Sequence, residues 1–310
     1  MIKKNSKIYV AGHRGLIGSA ILRKLKALNY TNVIFKTKKQ LDLRDQKKVF
    51  NFLKRKKPDA VIIAAAKVGG IKANNLNKAN FIYDNIAIQT NLIHGSYQAG
   101  VKNLIFLGSS CVYPKNCKQP IKEKFLLSGY LEQTNEPYAV AKIAGINLCS
   151  SYNYQYKLNY KCLMPCNSYG INDYYDLNYS HFLPALIKKI ITAKKQNKKK
   201  IYIWGTGKPL RELILSDDVA EACIFFLKKK TKETLINIGS GEEKNINQYA
   251  TIIMKYLKVN LKIININKNL NGTYRKLLDS SLANSYGWKP KTPFSRGIAV
   301  AINDYIKKYL

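Results

Sequence analysis

The stretch Asn135-Glu136-Pro137-Tyr138-Ala139-Val140-Ala141-Lys142 sets a phenol and an ammonium four residues apart. A helix opening here puts both on one face. A nearby ammonium favours phenolate over phenol and so predicts a Tyr138 pKa below the usual value of about 10. Such a pair can exchange a proton with a carbonyl or hydroxyl oxygen, which is redox chemistry at a sugar or alcohol carbon. An exposed Tyr and Lys on an ordinary helix would show the same spacing, so the pair takes its meaning from what surrounds it.

The elements that would position this pair follow in chain order. Residues 7–11 read as a short apolar strand, followed by Gly12-His13-Arg14-Gly15-Leu16-Ile17-Gly18-Ser19 and a helical pattern. Glycines at this spacing permit a tight turn and let a pyrophosphate approach backbone amides at a helix N-terminus. A second strand over 32–35 ends in Lys36-Thr37-Lys38-Lys39, where an enzyme using NAD would carry a carboxylate for the ribose hydroxyls. Cations at Arg14 and Lys38 instead suit the 2′-phosphate of NADP. Asp42, next to Leu41, is expected to cap the following helix or to reach the adenine.

Residues 60–66 form a continuous apolar run of the kind buried in a parallel sheet. The glycines of Lys67-Val68-Gly69-Gly70-Ile71 are expected to let that loop pass close to a cofactor, and a long helix over about 79–99 follows. Strand 103–108 delivers Ser109-Ser110-Cys111-Val112-Tyr113-Pro114 at its carboxyl end, the edge where open parallel sheets place ligands. A fifth strand over 160–164 leads to Pro165-Cys166-Asn167-Ser168, and His181 falls near the start of another helix. Ser216-Asp217-Asp218 reads as the cap of an apolar helix. Beyond it the alternation loosens into short strands and helices, which predicts a second, smaller lobe.

Composition narrows the class. With 310 residues the chain can bury a large core. No stretch reaches the ~18 consecutive apolar residues of a membrane span, and the first residues run into a strand without a signal-peptide apolar region, so a cytoplasmic protein without membrane partners is expected. The six cysteines show no Cys-x-x-Cys pair, and neither a metal site nor disulfides are expected. A net charge of +35 would suit a nucleic-acid partner. The excess, however, is mostly Lys spread along the whole chain, without Arg patches interleaved with aromatics. Runs such as Lys54-Arg55-Lys56-Lys57 and Lys228-Lys229-Lys230 read as solvated surface, and no nucleic-acid partner is expected.

Strand–helix alternation, the amino-terminal glycine turn, a serine after strand four and Tyr-x-x-x-Lys together resemble the extended short-chain dehydrogenase/reductase family over essentially the whole chain. Within it, Gly12-His13-Arg14-Gly15, Ala64-Ala65-Ala66-Lys67-Val68-Gly69-Gly70-Ile71, Gly108-Ser109-Ser110-Cys111-Val112-Tyr113-Pro114 and Asn135-Glu136-Pro137-Tyr138-Ala139 are similar to the branch acting on GDP-4-keto-6-deoxy-D-mannose. The resemblance implies an α/β fold, a Rossmann-type doubly wound parallel sheet with a smaller C-terminal α/β substrate-binding lobe. It implies a dinucleotide-binding domain over 1–170, completed by segments near 199–225, and a GDP-sugar lobe over 171–310. The implied activity is epimerisation at C3 and C5 followed by NADPH-dependent reduction at C4. Carried over residue by residue, Tyr138 donates the proton during reduction, Lys142 holds the ribose and tunes the phenol, Ser109 bonds the C4 oxygen, and Cys111 and His181 exchange the carbon-bound protons. NADP would meet Gly12, His13, Arg14, Gly15, Leu16, Ile17, Gly18, Lys38, Leu41, Asp42, Leu107, Gly108, Ser109, Ser110, Lys142, Pro165, Cys166, Asn167, Ser168 and His181. GDP would meet Lys189, Trp204, Arg211 and Asn271, where Lys189 stands for the family's Arg and Asn271 for its Asp. The family further implies a homodimer through a four-helix interface made by helices near 79–99 and 138–153.

Overall fold

Largely apolar runs, interrupted by Lys161 and Asn237, form the centre of the molecule, because strands covered on both faces by helices have no solvent side. The computed structural model describes residues 2–177, 179–267 and 272–310. β1 (Ile8–Ala11), β2 (Val33–Ile34), β3 (Ala60–Ile63), β4 (Asn103–Leu107) and β5 (Asn159–Pro165) pair in parallel. With β9 (Leu235–Ile238) they make a six-stranded sheet of order β2-β1-β3-β4-β5-β9. Ile8, Val10, Val61 and Ile62 are fully buried, each side chain contributing about 1.5–3 kcal/mol.

Helices cover both faces of this sheet. α1 (Leu16–Ala27) packs against α7 (Ser216–Lys228) on one side. α2 (Gln46–Lys56), α4 (Lys78–Gln98) and α5 (Glu136–Tyr156) form the other layer, with α4 lying on α5. α5 opens with Pro137 in its first turn, where a missing N–H costs nothing. Asp45, not Asp42, caps α2 by accepting from the Lys48 backbone N–H. A short helix, α3 (Ile71–Leu76), precedes α4 where a loop was expected. Lys54, Arg55 and Lys56 occupy the last turn of α2, where cations complement the helix dipole.

A second hydrophobic core lies in the carboxyl-terminal part. Its three-stranded sheet joins β6 (Asn167–Tyr169), β8 (Leu210–Leu215) and β10 (Glu243–Asn245), and a parallel pair joins β7 (Lys200–Trp204) to β11 (Lys262–Ile266). α6 (Phe182–Lys195), α8 (Ile246–Tyr256) and α10 (Phe294–Tyr309) supply its apolar faces, and α9 (Ser281–Ser285) sits beside β9. The α/β architecture with a doubly wound parallel sheet and a smaller lobe matches the sequence expectation.

The segment 199–225 divides between the lobes. β7 pairs within the second lobe, whereas α7 lies on α1, and the strand that extends the large sheet comes later, at Leu235–Ile238. Among the described residues no helix is long and apolar enough to cross a membrane. All six cysteines are free, with Cys162 and Cys166 buried in the core, and no cluster of metal-binding side chains occurs among the described residues.

Candidate active site

The glycine turn ends β1 and feeds α1. Gly12 has φ +86°, and a Cβ there would lie 2.5 Å from the Ala65 nitrogen, so only glycine lets the turn rest on the end of β3. A Cβ on Gly18 would fall 2.0 Å from the Gly12 carbonyl oxygen. On Gly15 it would meet only that same oxygen, at 3.5 Å, so this glycine faces open space in front of the α1 N-terminus. A helix N-terminus beside such a gap fits a pyrophosphate. His13 stacks on Phe35 with ring centroids 4.6 Å apart. Arg14 and Lys38 are exposed nearby in the chain, and the end of β2 carries Lys36 and no carboxylate. Asn172, in the left-handed region at φ 69°, donates from Nδ2 to the Arg14 carbonyl at 2.6 Å, tying the second lobe to the turn. These groups fit a dinucleotide bearing a 2′-phosphate.

Asp42 neither caps a helix nor stands free: it pairs with Arg44 at 2.7 Å, and that bond holds its carboxyl down at about 2. Leu41 is buried beside it. On the far side, Cys166 donates its N–H to the Ile238 carbonyl at 3.0 Å, and Ser168 Oγ donates to the Cys166 carbonyl at 3.3 Å. Pro165 is buried, whereas Asn167 and Ser168 remain partly accessible. Gly108 packs on Met164, where any Cβ would clash at 2.0 Å.

At the end of β4, Ser109 caps the 3₁₀ turn Ser110–Val112 and accepts from the Cys111 N–H at 3.3 Å. Lys142, only 2% exposed, reaches from α5 to donate to the Leu107 carbonyl at 2.8 Å. Its ammonium lies 4.6 Å from the Phe106 ring centroid and 5.9 Å from that of Tyr138. Burial pushes Lys142 down to about 7. Tyr138 is 8% exposed and packs edge-on against Phe81. Its pKa is raised, first by burial and then by the charge of Cys111, against a lowering hydrogen bond with Ser109. The expected depression of the tyrosine is therefore reversed. Stripping water from a phenolate costs more than a distant, itself desolvated ammonium returns. Tyr138 keeps its proton near neutrality, the form a proton donor needs.

Cys111 Sγ accepts from Asn135 Nδ2 at 3.2 Å and from Lys276 Nζ at 3.4 Å. Burial raises its thiol pKa, but the Lys276 charge, hydrogen bonds with Ser109 and Lys276, and the Arg211 charge outweigh it, leaving the thiol below its usual value. His181, exposed as a residue, stands at the N-cap of α6. Surrounding protein lowers its pKa, and the Lys276 charge adds to this, so the imidazole is neutral at pH 7. The glycines before α3 serve this region: the Gly70 N–H donates to the Tyr179 carbonyl at 2.8 Å, and a Cβ on Gly70 would meet Ser180 O at 2.5 Å. That close approach is to the loop carrying His181.

In the second lobe, Lys189 Nζ lies 5.2 Å from the centroid of the Trp204 ring while donating to the Tyr202 carbonyl at 2.9 Å. Lys72, from α3, stands 6.0 Å from the same ring. Arg211 interacts with the Cys111 charge, and burial brings its pKa down to about 10. Asn271 lies outside the described residues. The sequence reading missed Lys276 as a site residue although it follows Asn271 by five positions. It also missed Asn172 and Lys72, which carry no motif.

Residues 8–239 match the family described as the NAD dependent epimerase/dehydratase family. The chain is 47% identical over 307 residues to GDP-L-fucose synthase 1 of Arabidopsis thaliana, covering 99% of this chain and 95% of that protein. It is 42% identical over 302 residues to GDP-L-fucose synthase of Escherichia coli strain K12, covering 94% of each. A solved GDP-mannoheptose C4 reductase from Campylobacter jejuni, with NADP bound, superposes with a TM-score of 0.90 at 36% identity, covering 99% of this chain and 100% of that one. A glycine turn facing a helix N-terminus, a buried Tyr–Lys pair beside Ser109 and a match over most of the chain place this protein in the NAD dependent epimerase/dehydratase family.

Proposed function

We propose that the protein converts GDP-4-keto-6-deoxy-D-mannose to GDP-L-fucose, with epimerisation at C3 and C5 preceding NADPH-dependent reduction at C4. The observation that carries this reading is the placement of Cys111, beside Lys276, next to the Ser109–Tyr138–Lys142 set. Reduction alone needs only a proton donor and a hydride, whereas inverting carbons beside a ketone also needs groups that exchange carbon-bound protons. The full-length likeness to GDP-L-fucose synthases supports the same substrate.

NADPH, when bound, supplies the hydride for C4. The α1 N-terminus and Gly15 would receive its pyrophosphate, Arg14 and Lys38 its 2′-phosphate, and Lys142 its ribose. Cys111 takes a proton from one face of the sugar carbon, and His181 returns one to the other face. Ser109 and Tyr138 hold the C4 oxygen, and Tyr138 gives it a proton as the alcohol forms. Residues 1–170 with α7 and β9 form the dinucleotide half in this assignment. The lobe beyond 171 presents Lys189, Trp204 and Arg211 to GDP. Two such chains pair through α4 and α5, whose outer faces expose Tyr83, Ile86, Val140 and Tyr154.

The test separates the two chemistries. Cys111→Ser should abolish C3 and C5 exchange in deuterated buffer while NADPH oxidation continues, because a serine hydroxyl is too weak an acid to replace the thiol. Tyr138→Phe should keep exchange and lose ~10²–10⁴-fold in NADPH oxidation. Wild-type GDP-L-fucose production by Cys111→Ser would refute the assignment.

A further inference from the structure

Lys276 arrives at the site on a strap that is pinned on both sides. The Leu277 N–H donates to Gln119 Oε1 at 2.9 Å, the Leu278 N–H to Glu212 Oε2 at 3.0 Å, and the Asp279 N–H to the Ile121 carbonyl at 2.8 Å. Glu212 itself is 1% exposed, so a buried carboxylate fixes the strap. The neighbouring Arg275 is held by Glu243 at 2.7 Å. Lys276, in contrast, makes no ion pair with a carboxylate among the described residues, and its Nζ donates to the Cys111 sulfur at 3.4 Å.

We propose that Lys276 is the positioning cation of the proton-exchange couple, its ammonium set against the Cys111 sulfur so that the thiolate is favoured over the thiol. The strap's anchors make this cation a fixed one. The groups facing Cys111 are Ser109 from the β4 turn, Asn135 and Tyr138 from the start of α5, Arg211 from β8, and Lys276; Glu132 faces Arg211 in turn. Ser109, Asn135 and Tyr138 are neutral at pH 7, so the two cations set the balance, and Lys276 touches the sulfur.

The inference rests on the proposed epimerisation only for its use. In that reaction the thiolate takes the C–H proton: an S–H bond forms, and the C–H electron pair moves into an enolate with the neighbouring ketone. His181, charged by a solvent proton, then gives that proton to the opposite face, and the thiol returns its own to solvent. A cation in contact with the sulfur makes the thiolate available for the first of these steps.

The experiment needs no sugar. Iodoacetamide labelling of Cys111, read on its own peptide by mass spectrometry across pH, reports the thiolate fraction. The wild-type midpoint should lie below the ordinary thiol value of about 8.5. Lys276→Met should raise it by at least about one pH unit, an approximately tenfold loss of labelling rate at pH 7, and Lys276→Arg should restore it. An unchanged labelling profile in Lys276→Met would overturn the proposal. If that variant does not fold, a wild-type midpoint at or above about 8.5 overturns it and a lower one, retained by Lys276→Arg, supports it. Because these readouts precede any turnover, failure of the GDP-sugar reading would leave them standing.

Discussion

Lys142→Met should stabilise the nucleotide-free protein while disabling reduction. The buried ammonium has its pKa brought from 10.5 to about 7 by burial. Below pH 7 folded and unfolded chains both bind the proton, and the folded state carries the whole cost of the buried charge. Between 7 and 10.5 the unfolded chain binds more protons, so stability rises with pH; above 10.5 both are neutral and the cost is gone. At about 1.4 kcal/mol per pH unit, that gap corresponds to about 4–5 kcal/mol at pH 6.5. Methionine also removes the hydrogen bond to the Leu107 carbonyl, costing about 1–2 kcal/mol for a buried acceptor. The net gain is about 3 kcal/mol, and with about 2.1 cal/mol/K per residue of unfolding entropy it raises Tm by about 4–5 °C. At pH 9.5 the remaining charge cost, about 1.4 kcal/mol, is cancelled by the lost hydrogen bond and the gain should vanish. Differential scanning calorimetry of both proteins at the two pH values makes the comparison. A Met variant no more stable than wild type at pH 6.5, or equally shifted at pH 9.5, would refute the reasoning.

Three further outcomes follow from the site. NADPH should be preferred over NADH in kcat/KM, and Lys38→Glu should move the preference toward NADH; equal use by the wild type contradicts the 2′-phosphate assignment. Gly18→Ala should disrupt the turn and lower Tm, since its Cβ would lie 2.0 Å from a carbonyl oxygen, whereas Gly15→Ala should fold normally and raise the KM for NADPH; thermal melts and steady-state kinetics separate the two. Light scattering at micromolar concentration should report about twice the 35.3 kDa chain mass; a single 35.3 kDa species would exclude the dimer.

The large sheet was legible because four of its strands are continuous apolar runs, and the glycine turn because its spacing is a steric requirement that Gly12 and Gly18 still meet. Tyr138 and Lys142 were legible as a pair from their spacing. Their protonation was not, since burial rather than proximity decides it: the fold puts Lys142 against a carbonyl and Tyr138 against Phe81. Asp42 and Asp45 compete for the same cap in sequence, and only the placement of Arg44 against Asp42 separates them. Leu235–Ile238 is four residues interrupted by the polar Asn237, recognisable as the sixth strand only once β5 offers its edge. Lys276 is one of many lysines, and its contact with Cys111 spans 165 residues of chain, a separation no local pattern reports.

The central claim is that one site both exchanges carbon-bound protons and reduces the ketone. The direct measurement is incubation with GDP-4-keto-6-deoxy-D-mannose and NADPH in deuterated buffer, with the product resolved by NMR. The expected product is GDP-L-fucose carrying deuterium at C3 and C5. A reduced GDP-6-deoxy sugar with the original configuration and no deuterium at those carbons would contradict it.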